Sequence, residues 1–216
     1  MNIKKLLVVL ISIIFLTGCT NINDFSYDDI LNLIGKNIKS TNVYRNGYKF
    51  YLPKGMNLED ASFNYAIVSS LKSNYYVYFD LIAYNQNKLS TYEINPNAVY
   101  SKKILNNDID GYMEINLQEN NQYLIEIMYN YAKIEVMVDK DEINEVLINS
   151  INILNSIKYD SIVIEKLLKD DKLNYTEEIF DMFAKKKNNS NILNYSETTE
   201  DVSSGEIDIK DTDFLN

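Results

Sequence analysis

Three runs of the chain, residues 112–117, 123–129 and 133–138, carry apolar residues at every second position and are separated by Asn-rich turns. Alternation at period two belongs to strands with one buried face, and short Asn-rich connections close hairpins. The spacing therefore predicts an antiparallel meander. The period then changes: Ile143, Leu147, Ser150, Leu154 and Ile157 recur at steps of three and four, which predicts a long helix with one stripe against the sheet. Asp139 followed by Glu142 resembles a capping box that starts it. Upstream, "NGYKFYLPKGM" alternates Tyr48, Phe50 and Leu52 until Pro53 and Gly55 turn the chain, while "NYAIVSS" and "NYYVYFDLIAY" predict two more strands. In "YDDILNLIGKNI" the spacing of Ile30, Leu31, Ile34 and Ile38 predicts a short opening helix. Amphipathic runs at 161–169 and 176–186, the second capped by Thr176, predict two closing ones. The sum is an α+β fold: an antiparallel sheet of five or six strands packed by helices, one of them long and following the meander.

The ends of the chain read differently. Residues 1–5 carry Lys4 and Lys5, and residues 6–16 are almost purely apolar, the order of a secretory signal. Eleven such residues fall well short of the roughly 20 that span a bilayer as a helix. Directly after them, Leu16-Thr17-Gly18-Cys19 resembles the lipobox of bacterial lipoproteins. That resemblance implies cleavage between Gly18 and Cys19, a thioether-linked diacylglycerol on Cys19, and a protein held at the outer face of the bacterial cytoplasmic membrane. The competing reading is an ordinary cleaved signal with an incidental cysteine. Two acyl chains give stable anchoring, at about 0.8 kcal/mol per buried methylene. The expected organisation is a lipoprotein signal peptide at 1–18, a lipidated tether at 19–26, a single α+β domain at 27–187 and a disordered acidic tail at 188–216. In that tail seven acidic residues face only Lys210.

Composition narrows the chemistry. The net charge is −10, and removing Lys4 and Lys5 makes it two units more negative, which opposes nucleic acid and anionic headgroups as partners. With no histidine the commonest general base and metal ligand are missing, and with Cys19 acylated no thiol remains. No catalytic residue, cofactor or metal ligand is therefore assigned, and the chain is expected not to be an enzyme. "NNDIDGYMEINL" comes near a calcium loop, with Asn106, Asp108, Asp110 and Gly111 at positions one, three, five and six, but Leu117 stands where a bidentate Glu is needed. A turn entering a strand is the plainer reading. Glu114, Glu126 and Glu135 fall on neighbouring predicted strands, where a carboxylate pair could serve a hydrolase or simply face solvent. Tyr75, Tyr76, Tyr78 and Tyr84 could offer stacking faces to a ligand, though eighteen tyrosines in an Asn- and Ile-rich chain also fit a compositional bias.

The segments "Y-x-F-x-x-P-x-G" from Tyr48 to Gly55 and "I-x-x-S-I" from Ile153 to Ile157 are similar to features of the PsbP/Mog1-like α/β/α sandwich. The whole chain resembles the small uncharacterised lipoproteins of low-GC Gram-positive bacteria, a resemblance that implies no particular activity. The expected function is a membrane-anchored binding or interaction module whose partner is a protein or an envelope polymer; the alternative is a small carboxylate-dependent hydrolase acting on such a polymer.

Overall fold

Ser26 sets the first helix. Its hydroxyl accepts from the Asp29 N–H at 3.2 Å while the Asp29 carboxylate accepts from the Ser26 N–H, a capping box that opens α1 (Tyr27–Leu31). In the computed structural model, which describes residues 22–88, 91–106 and 109–169, α1 is shorter than its apolar spacing predicts. Gly35 at φ +71° and Asn37 at φ +51° turn the chain, so Ile34 is buried but Ile38 is exposed.

The strands form two antiparallel sheets instead of one of five or six. The larger has seven strands in the order β3-β4-β5-β9-β8-β7-β6: β3 (Asn57–Ala61), β4 (Tyr65–Ser69), β5 (Asn74–Phe79), β6 (Tyr100–Asn106), β7 (Ile109–Leu117), β8 (Tyr123–Tyr129) and β9 (Ala132–Val138). In the smaller, β2 (Tyr48–Phe50) lies between β1 (Val43–Tyr44) and β10 (Lys158–Tyr159). The additional strands have physical reasons to be hidden in the sequence. Edge strand β3 is the polar "NLEDA", edge strand β6 is interrupted by Lys102 and Lys103, and the two-residue strands β1 and β10 are too short to show a period.

Three helices complete the described elements. The predicted strand "NYYVYFDLIAY" stops at Phe79 because the Asp80 carboxylate accepts from the Ala83 N–H at 2.8 Å and caps α2 (Leu81–Gln86). The long helix α3 (Ile143–Ser156) appears where the period predicts it, but its capping box does not form. Asp139 makes no side-chain cap bond, a 3-10 turn (Lys140–Glu142) intervenes, and the Glu142 carboxylate instead holds Lys72 and Ser73, each at 3.1 Å. Helix α4 (Ser161–Lys169) matches the first closing run. The run at 176–186, Cys19 with its signal segment, and the tail at 188–216 lie outside the described residues.

Helix α3 covers one face of the large sheet, packing against β8 and β9 and touching β2. Its stripe of Ile143, Leu147, Ser150, Leu154 and Ile157 is buried, against a sheet face that includes Ile125, Ile127, Ile134 and Val136. At one end Tyr48 of the small sheet stacks on Phe79, with ring centroids 3.8 Å apart. Polar groups on α3 then fasten the rest of the chain. Asn144 donates to the carbonyls of Ile22 and Phe25 at 3.0 and 2.9 Å. Asn155 accepts from the Gly35 N–H, 120 residues away, and donates to the Leu33 and Lys36 carbonyls. Ser156 accepts from the Tyr51 N–H at 2.7 Å, so the segments Tyr48–Gly55 and Ile153–Ile157 are in direct contact. No helix among the described residues is long and apolar enough to cross a membrane.

Candidate functional site

The face of the large sheet opposite α3 is ordered by strand register. Ile67, Tyr76, Glu135, Glu126, Glu114 and Ser101 form one row across β4, β5, β9, β8, β7 and β6. Tyr65, Tyr78, Lys133, Met128, Tyr112 and Lys103 form the next. The three glutamates singled out from the sequence are thus direct cross-strand neighbours. Adjacent strands lie about 5 Å apart, and like charges placed directly opposite destabilise a sheet.

Glu135 and Glu114 are held by nearby groups. Glu135 is paired with Lys133 at 2.7 Å, and both side chains are almost fully buried. Glu114 accepts from the Tyr92 hydroxyl, from Asn95 Nδ2 at 2.7 Å and from Asn116 Nδ2 at 2.8 Å. Burial works to raise the Glu114 pKa, but the three hydrogen bonds together outweigh it and hold the carboxyl below its usual range. The phenol that serves it moves the other way. Burial, joined by the bond to Glu114, pushes Tyr92 up to about 12. Tyr92 also stacks face to face on Tyr112 with centroids 4.1 Å apart, and Ser101 Oγ accepts from the Asn95 N–H at 2.8 Å. Together these contacts fix the loop before β6 onto β7. Chemically, Glu114 is an ionised hydrogen-bond acceptor here, and a glycosidase acid needs the opposite, a carboxyl kept protonated.

Tyr65, Ile67, Tyr76 and Tyr78 line a groove of about 310 Å³ beside the Lys133–Glu135 pair. The four tyrosines named from the sequence do not all meet there. Tyr76 and Tyr78 do. Tyr75 points to the α3 side, where burial pushes it up to about 12 and Asn149 donates to its hydroxyl at 3.4 Å. Tyr84 lies on α2 and stacks on Tyr159 at 4.3 Å. Sequence reasoning missed Tyr65, Tyr112 and Lys133, because only the register reveals which residues of distant strands share a row, and Tyr92, because only the fold lays that loop residue onto Glu114 and Tyr112.

The near-calcium loop is dispersed by the hairpin it forms. Asn106 ends β6 and donates to the Tyr129 hydroxyl at 2.9 Å, while Asp110 and Gly111 lie within β7; Asp108 is outside the described residues. Gly111 has a packing reason instead, since a Cβ there would collide with the Met128 carbonyl oxygen. Among the described residues no three His, Cys, Asp or Glu are grouped to hold a metal ion. The chain matches no protein-family profile and no curated protein.

Proposed function

We propose that this chain is a lipid-anchored lipoprotein at the outer face of a bacterial cytoplasmic membrane, where it acts as a non-enzymatic binding module for a protein or an envelope polymer. The anchor rests on the order basic segment, apolar segment, Leu16-Thr17-Gly18-Cys19. The observation that carries the binding reading is the carboxylate row: Glu114 is committed to three donors and Glu135 to Lys133, beside a groove with tyrosine faces. Aromatic faces next to fixed charges suit the recognition of a sugar polymer or a peptide. The contact between Ser156 and Tyr51 supports assignment to the PsbP/Mog1-like sandwich, because it unites the two segments that carry that resemblance.

Metabolic labelling with a fatty-acid analogue tests the anchor. Wild type incorporates the label and Cys19→Ala does not; equal incorporation refutes it. A retention assay on isolated cell envelope tests the module, with Tyr76→Ser and Tyr78→Ser releasing the lipid-free form of the protein from the envelope. The hydrolase remains a second reading because Glu114, Glu126 and Glu135 do stand in one row. It predicts turnover of an envelope polymer that Glu126→Gln abolishes.

A further inference from the structure

The Asn144 clamp fixes how the domain faces its membrane. Ile22 and Phe25 are held to the start of α3 by their backbone carbonyls, and Ile22 lies only three residues after Cys19. Three residues of extended chain span about 10 Å. Acyl chains on Cys19, as the proposed function requires, therefore bring the Ile22 end of the domain to the headgroups, with little room for another part of the surface to turn inward.

Strand register identifies what else lies at that end. The Ser69–Asn74, Leu117–Tyr123 and Tyr123–Val138 pairs all sit there, so the β4–β5 turn, the β7–β8 turn and the entry to α3 share it. It exposes large apolar groups: Ile22 at 40 %, Phe25 at 41 %, Leu117 at 54 % and Leu71, at the tip of its turn, fully. Lys72 and Lys140 accompany them, but so do Asp24, Asp139 and Asp141. Charge therefore supplies no net attraction to an anionic surface, and the apolar tips must make the contact.

We infer that this end is a membrane-docking surface, with Phe25 and Leu71 seated at the level of the lipid headgroups and acyl-chain margin while α4 and the β6–β7 hairpin point away. The inference rests on lipidation of Cys19. Since the chain has no tryptophan, single reporters are unambiguous. The full lipidated protein, carrying Phe25→Trp, Leu71→Trp or Ile162→Trp, is reconstituted into phosphatidylcholine vesicles with or without brominated acyl chains. Ile162 on α4 is 80 % exposed and serves as the distal control. Residues 25 and 71 should shift to shorter emission wavelength and be quenched by bromolipid at least about threefold more than residue 162. Inserting a ten-residue Gly/Ser spacer between Thr20 and Asn21 should relieve that quenching. Mass analysis of the N-terminal fragment separates the two ideas. Absence of the diacylglycerol overturns both the anchor and the docking surface. A lipidated protein quenched equally at all three sites, or mainly at residue 162, overturns the docking surface alone.

Discussion

Ser150 and Asn155, two small polar residues of α3, have opposite energetics. Ser150 lies in the buried stripe, fully inaccessible, and its Oγ has no hydrogen-bond partner among the described residues. A buried hydroxyl without a partner has lost its water and gained nothing in return, and alanine is the better helix former. Ser150→Ala should raise stability by about 1 kcal/mol, read as a higher denaturant midpoint at unchanged slope. Asn155 is satisfied through one acceptor and two donor bonds to the backbone of the 33–36 turn. Asn155→Ala removes all three and should cost about 2 kcal/mol, less than a full set of buried bonds because water reaches Lys36. A neutral Asn155→Ala would show that the turn is held by Ile34 alone. The period of the helix placed Ser150 on its buried stripe from the sequence; the role of Asn155 was not legible there, because its partners lie 120 residues upstream.

Among the elements, the meander and the long helix were legible because each keeps a regular period over six residues or more, and β8 runs over the same residues that its spacing marks. The elements that escaped are decided by single side chains or by partners far away. Asp80 converts the end of an aromatic run into α2, and β1 and β10 exist only by pairing with β2. The candidate site was half visible: the three glutamates could be named, but not the lysine between them and the tyrosines. That lysine yields a sharp test. Lys133→Met leaves Glu135 buried without its cation and should destabilise by about 3 kcal/mol, whereas Lys133→Met with Glu135→Leu should recover most of the loss. Urea midpoints of the two variants measure this, and a double variant as unstable as the single would show that the pair contributes more than it costs to bury.

For the whole molecule, the absence of histidine and the placement of tyrosine together set the response to pH. No side chain has an ordinary pKa between about 5 and 8, so stability should be flat from about pH 6 to pH 9. On the acid side, Glu114 titrates lower in the folded state than unfolded. Its contribution is present above the unfolded carboxylate pKa of about 4.3 and is lost as pH falls through the folded value. On the alkaline side, burial raises Tyr48, Tyr75 and Tyr159. Above about pH 10 the unfolded chain releases phenolic protons that the folded chain retains, so stability falls as pH rises. Denaturant midpoints between pH 3 and pH 11 check both limbs, and absorbance at 295 nm should show a block of tyrosines that ionise only on unfolding. A slope between pH 6 and pH 9 would contradict the assignment. The pairing of β2 with β10 also determines when the protein can finish folding. Val138 completes the large sheet, but Lys49 must wait for Lys158 and Gly35 for Asn155. Contacts this distant along the chain close slowly and only after the later partner is available. A polypeptide emerging from a narrow pore N-terminus first therefore cannot close its small sheet until Lys158 and Tyr159 are through.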